Sequence, residues 1–307
     1  MNRRRSFEAA RCLVTGASSG LGRAIALRLV RDGARVLLTG RSLDRLGATA
    51  KVLAEEGASP DQVLVVDADL TEQEGRNKVI HAAADRFGAL DLAVNAAGVG
   101  ATGHFDTHDP DVLRRVFEVN VFALIETTRA LLPLLRRGDR PSLVNIGSVV
   151  ARRGLPGRSE YSASKFAVAG FTESIRAEWS KYGIHVLLLN PGFTATDFER
   201  NLVADTSRYP TQHKRVMTAD RVAVETLEAV RRGLHERTLT PEGRLLLLVN
   251  RLAPRVVDRG FARFTRRVFQ DVVLESRELS TGSTAPGGWL PRPHFAIRMR
   301  RGIKKGD

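Results

Sequence analysis

The chain has 307 residues, 43% of them apolar and 27% charged, a globular composition that excludes global disorder, a collagen repeat or a coiled coil. It has no uninterrupted apolar run of about 18 residues, residues 1–11 are polar and basic rather than signal-like, and the single cysteine, Cys12, cannot form an internal disulfide, so a reducing, cytoplasmic setting is expected. Lys and Arg number 48 against 34 Asp and Glu, a net charge of +14, and residues 241–307 alone hold 14 basic against 6 acidic side chains; nucleic acid, an acidic membrane surface or plain solvation would each account for this excess.

Residues 11–15 form an apolar run that ends at a glycine, which predicts a buried strand. The spacing of Leu21, Ile25 and Leu29 predicts a helix over 21–32, closed by Gly33. Strands are then expected at 36–39, 63–66, 90–94, 142–146 and 184–189, with helices over 43–56, 72–87, 110–136 and 161–182 between them. Strands that are apolar throughout and alternate with helices imply a parallel sheet covered on both faces. Right-handed crossovers then give an α/β, Rossmann-like, doubly wound architecture. After Pro191 the pattern loosens. Residues 218–232 read as one amphipathic helix, 243–264 as an apolar then basic helical extension broken near Pro254, and 280–293, rich in Gly and Pro, as irregular.

The segment Thr15-Gly16-Ala17-Ser18-Ser19-Gly20-Leu21-Gly22 joins the first strand to the first helix. Glycines there permit a tight turn and close approach of a pyrophosphate, and the helix N-terminus offers unpaired N–H groups and a positive dipole end. The position on the first strand–helix junction is what gives a glycine-rich run this meaning. An NAD site would place an acidic residue about 20 positions further on to hold the ribose 2′-hydroxyl. Gly40 stands there instead, followed by Arg41. Without a carboxylate to repel a 2′-phosphate, and with a guanidinium to pair with it, NADP is expected over NAD; the alternative is that Arg41 is merely solvated.

Tyr161 and Lys165 stand four residues apart on an expected helix and share one face. A phenol ionises near pH 10 and is a poor acid–base group at neutral pH. A nearby ammonium favours the phenolate, and lowering it by about three units takes about 4 kcal/mol. Ser148 follows the fifth strand directly, at the carboxyl edge where such sheets bind ligands.

Together with Asp69-Leu70 after the third strand, Asn95-Ala96-Ala97-Gly98 after the fourth, Asn120, and Pro191-Gly192 with Thr194 and Thr196, these residues make the chain resemble the one-domain, NADP-preferring members of the short-chain dehydrogenase/reductase family over residues 10–233. The resemblance implies an oxidoreductase that transfers a hydride between NADP(H) and an alcohol/carbonyl pair. Tyr161 would act as acid and base, with Ser148 stabilising the reacting oxygen. It further implies that Lys165 binds nicotinamide-ribose hydroxyls and tunes Tyr161, and that Asn120 holds a relay water. Asp69 would accept from the adenine amino group, Asn95 and Gly98 line the adenine-ribose side, and Thr194 contact the carboxamide. The long helices 110–136 and 161–182 would pair in a homodimer or homotetramer. The expected domains are 1–240, catalytic and NADP-binding; 241–280, the basic amphipathic extension; and 281–307, an irregular basic tail.

Bland readings stand beside these. Asn95 is also a common cap or turn residue, and Asn120 a satisfied buried amide. The seven histidines show no metal-ligand spacing, so no metal is expected. A non-catalytic NADP-binding sensor or scaffold is the alternative function, against which the joint presence of Ser148, Tyr161 and Lys165 argues. A small-molecule carbonyl or alcohol is the expected substrate, and the apolar residues in 193–217 point to a hydrophobic ketone or secondary alcohol. Nucleic acid is not expected. The 243–264 helix either packs its apolar face on the enzyme or lies on an anionic membrane, since it is too short to span one.

Overall fold

Parallel strand pairing dominates the computed structural model, which describes residues 5–196, 198, 202–205 and 216–268. In chain order the elements are β1 (Arg11–Thr15), α1 (Gly20–Arg31), β2 (Arg35–Gly40), α2 (Leu43–Glu55), β3 (Val63–Asp67), α3 (Gln73–Phe87), β4 (Leu92–Asn95) and β5 (Gly100–Thr102). Then follow α4 (Pro110–Phe117), α5 (Ala123–Leu135), β6 (Ser142–Ile146), α6 (Ser159–Trp179), β7 (His185–Asn190) and β8 (Thr194–Ala195). The last are β9 (Leu202–Asp205), β10 (Met217–Thr218), α7 (Ala219–Arg231), β11 (Glu236–Thr238), α8 (Pro241–Leu252) and α9 (Pro254–Val268).

Seven strands build one sheet in the order β11-β7-β6-β4-β1-β2-β3, every pair parallel. Side chains alternate between two covered faces, as the pleat requires. Val14, Val36, Leu38 and Val144 pack with Ile25 and Leu29 of α1 and Val222 and Leu227 of α7. Leu13, Leu37, Leu143 and Val186 point the other way, onto Val79 of α3, Leu131 and Leu134 of α5 and Trp179 of α6. The expected doubly wound α/β fold is therefore the observed one. Strand β1 lies between β2 and β4, so the winding reverses beside it and opens a crevice at the carboxyl ends of β1 and β4.

The single helix expected over 110–136 is instead two helices joined by a five-residue π turn, Glu118–Phe122. The wide turn points Asn120 inward, where its Oδ1 accepts from the Val99 N–H at 2.8 Å and its Nδ2 donates to Val99 O at 2.9 Å and Ser164 Oγ at 3.0 Å. A fully buried amide with all these partners fixes the irregularity.

The C-terminal extension is two helices, broken at Ala253 where Pro254 begins the second. Its inner edge is clamped: Arg153 donates to Asn250 Oδ1 at 3.1 Å and Asp258 Oδ1 at 2.5 Å, and lies over the Phe261 ring. One compact unit runs to Phe264. Of the second unit, Thr265–Asp307, only residues 265–268, the end of α9, are described. The 280/281 boundary and the irregular 280–293 stretch lie outside the described residues. Leu245, Leu248, Leu252 and Val256 remain outward, between 54% and 75% exposed. Among the described residues no helix is long and apolar enough to cross a membrane.

Candidate functional site

Two adjoining cavities run along the carboxyl edge of the sheet, one of about 630 Å³ and one of about 130 Å³, both lined by Ser19 and Gly98. Backbone makes the tightest contacts of the smaller one. Thr15 Oγ1 accepts from the N–H groups of Ala96 and Ala97 at 3.0 and 3.1 Å, tying the end of β1 to that of β4. Gly16 adopts φ +66°, and a Cβ on it would stand 2.9 Å from Ala97 backbone atoms. A Cβ on Gly22 would stand 2.3 Å from Gly16 O. Side chains at either place are excluded by the chain's own backbone. Ser19 precedes α1 without its side chain capping the helix, and the first turn holds no acidic residue. The Thr127 hydroxyl is buried at this cavity with no hydrogen-bond partner among the described residues. A glycine cradle, an uncapped helix N-terminus and an orphaned hydroxyl fit a dinucleotide phosphate and ribose.

Most expected binding residues gather here. Gly16, Ser18, Ser19, Arg41, Asp69, Leu70, Asn95 and Gly98 line the smaller cavity, and Gly20, Leu21, Gly22, Ala96, Pro191, Gly192, Thr194 and Thr196 the larger. The Asn95 amide is already committed, donating to Thr128 Oγ1 and Asn145 Oδ1 at 2.9 Å each. Asp69 Oδ1 accepts from the Thr71 N–H and hydroxyl. Burial opposes its ionisation, but those bonds and the nearby Arg41 outweigh burial and hold its carboxyl below the usual range. Arg45, one turn after Arg41, lines the same cavity and escaped the sequence reading.

The larger cavity holds Ser148, Tyr161 and Lys165 among apolar walls, including Val150, Leu155, Phe193, Phe198 and Leu246. The Ser148 N–H donates to Asn190 Oδ1 at 3.2 Å, and Asn190 is held in turn by Glu236. The Phe198 ring lies 5.4 Å from that of Tyr161, centre to centre. Lys165 Nζ donates to Ile146 O at 2.8 Å and stands 5.7 Å from the Tyr161 ring centre. Burial lowers the Lys165 ammonium to about 8. Burial likewise pushes the Tyr161 phenol up to about 12, against the opposing influence of Arg158 and the Ser148 hydrogen bond. Arg158, at the N-cap of α6 three residues before Tyr161, thus also favours the phenolate, and the sequence reading did not single it out. Asn120 lines neither cavity; it lies behind Gly98, whose Cβ position is 3.1 Å from its Oδ1 and 3.7 Å from Lys165 Nζ. Beside Tyr161, Glu160 forms a buried pair with His108 at 2.7 Å, anchoring the start of α6.

The model of the short chain dehydrogenase family matches residues 10–207. The chain is 33% identical to rat dehydrogenase/reductase SDR family member 7B over 263 residues, 83% of this chain and 81% of that protein. A short-chain dehydrogenase/reductase from Burkholderia phymatum, solved in complex with NAD, superposes with a TM-score of 0.74 at 25% identity, covering 82% of this chain and 96% of that one. A short chain dehydrogenase from Burkholderia cenocepacia, in complex with NADP, gives 0.70 at 25% identity, covering 84% and 99%.

Proposed function

The chain belongs to the short-chain dehydrogenase/reductase family, and from that premise we propose that it is an NADP-dependent oxidoreductase of a hydrophobic ketone and its secondary alcohol. That it is an NAD(P)-dependent oxidoreductase of the CH–OH/carbonyl type follows from the family. The observation that carries the finer reading is the placement of Ser148, Tyr161 and Lys165 in an apolar cavity continuous with the glycine cradle.

Bound NADP(H) supplies or accepts the hydride. The Tyr161 hydroxyl gives its proton to the carbonyl oxygen in reduction and takes it back in oxidation. Ser148 donates a hydrogen bond to the same oxygen as negative charge grows on it. Lys165 holds ribose hydroxyls and brings its charge nearer the phenol, with Asn120 ordering a water behind it. Gly16 to Gly22 cradle the pyrophosphate; Asp69, Leu70, Asn95, Ala96 and Gly98 bound the adenosine side; Pro191, Gly192, Thr194 and Thr196 bound the nicotinamide side. Arg41 and Arg45 support NADP over NAD, because they offer two guanidiniums where a carboxylate would repel the 2′-phosphate.

The test is a titration with NADPH and NADH. Wild type should favour NADPH, and Arg41→Ala should weaken NADPH about 10–150-fold while sparing NADH; equal loss for both would refute the assignment. A homodimer or homotetramer formed through α4–α5 and α6 is the proposed assembly, to be read by sedimentation.

A second reading concerns place: a cytoplasmic enzyme in peripheral contact with an anionic membrane. Leu245, Leu248 and Leu252 make one outward stripe on α8, flanked by the exposed Arg244 and Arg251, and α9 adds exposed Val256, Arg255 and Arg259. Co-sedimentation with anionic vesicles that salt abolishes is expected; no pelleting at low salt would eliminate it.

A further inference from the structure

Of the arginines in the segment leading into α6, two are paired. Arg152 bonds Glu236 and Glu173, and Arg153 bonds Asp258. Arg158, half-buried at the N-cap of α6, makes neither a hydrogen bond nor an ion pair from its guanidinium with any of the described residues. Its guanidinium carbon lies 5.6 Å from the Phe193 ring centre, and it lines the larger cavity beside Tyr161 and Leu155. Glu242 also lines that cavity. A guanidinium presents five donors in a fixed fork. Facing largely apolar walls, with no partner for the fork among the described residues, those donors are matched best by a planar or tetrahedral oxyanion. Arg158 and Tyr161 line the same cavity, so an oxyanion held by the guanidinium would lie on the side of the reacting centre.

We propose that Arg158 is the anion-recognition residue of the substrate cavity, and that the substrate is an apolar ketone or secondary alcohol carrying a carboxylate or phosphoryl group within a few bonds of the reacting carbon. The proposal rests on the oxidoreductase reading and narrows its substrate class. The apolar walls take the chain of the substrate, Arg158 takes its charge, and the two together place the carbonyl at Ser148 and Tyr161. A neutral ester of the same shape fills the walls but leaves the guanidinium unmatched.

The experiment uses the full chain loaded with NADPH. Turnover of medium-chain keto acids is compared with that of their methyl esters and of keto phosphates, in wild type, Arg158→Lys and Arg158→Met. Wild type should prefer one anionic series over the ester about 10–100-fold in kcat/KM, chiefly through KM, and the preferred series distinguishes carboxylate from phosphoryl. In Arg158→Met the ratio should collapse towards one; Arg158→Lys should restore part of it. In parallel, the melting temperature is read with octanoate, octyl phosphate and methyl octanoate, which needs no turnover. An anion should raise it in wild type and not in Arg158→Met. Equal use of acid, phosphate and ester by wild type, or an anion effect that survives in Arg158→Met, would overturn the proposal. Anion-dependent stabilisation without turnover of any carbonyl would instead uphold anion recognition and count against the substrate reading on which it rests.

Discussion

The two ends of the groove are built from different materials. The tightest contacts of the dinucleotide end are to backbone: Gly16 against Ala97, Gly22 against Gly16, and the Thr15 hydroxyl bonded to two main-chain N–H groups. The substrate end is made of side chains brought from β6, α6, the segment after β7, and α8. A backbone cradle tolerates no added atom and suits a ligand that does not change. A wall of side chains can be rebuilt residue by residue without disturbing the sheet, so that is where one member of a family would differ from another. Leu246 illustrates the second case: it walls the cavity while its neighbour Leu245 on the same helix is 61% exposed.

The sharpest break of this contrast is Gly22→Ala. One methyl group meets Gly16 O at 2.3 Å, backbone on both sides, so the loop must move. Displacements on the order of 1 Å at such a site cost roughly 100-fold, and NADPH binding should weaken by about that factor, measured by fluorescence titration. Retained affinity would show that the cradle is looser than its geometry.

Burial of Lys165 predicts an effect of about 3 kcal/mol. Its folded-state value, about 8, lies below the ordinary 10.5, so between those pH values the unfolded chain binds more protons. Stability of the cofactor-free protein should therefore rise with pH across that window. The Tyr161 phenol, raised from 10 to about 12, works the other way above pH 10. Denaturant unfolding of wild type and Lys165→Met at pH 7.5–10 (a range of about two units) reads the difference; an identical slope in Lys165→Met would refute the assignment.

The smallest effect belongs to the outer wall. Leu248→Ser removes an exposed side chain with no described core contact, and should change stability by no more than about 0.5 kcal/mol. The same substitution should reduce pelleting with anionic vesicles. A large loss of stability would show that the stripe is covered in the folded protein.

The backbone end was the legible end. The strands at 11–15 and 142–146 coincide with β1 and β6, and the 218–232 helix with α7 to within a residue at each end, because unbroken apolar runs and caps are local signals. The π turn was not legible: Asn120 is turned inward by Val99 and Ser164, partners contributed by other elements. Nor was the short β5–β9 pairing, three or four residues from each partner joined across about a third of the chain. The importance of Arg158 lies in the absence of an acceptor among the described residues, a property of three dimensions that no spacing records. The extension was half legible, since apolar character on both edges of α8 does not tell which edge the protein covers.

The central claim is that Tyr161 moves the proton in a nicotinamide-dependent reaction. Loss of reduced-nicotinamide absorbance is followed for wild type and Tyr161→Phe over a panel of hydrophobic and anionic ketones, with NADPH affinity measured on the same samples. The account predicts unchanged affinity within about threefold and a rate lowered by about 10²–10⁴ in Tyr161→Phe. A rate within threefold of wild type, with cofactor bound equally well, would contradict it.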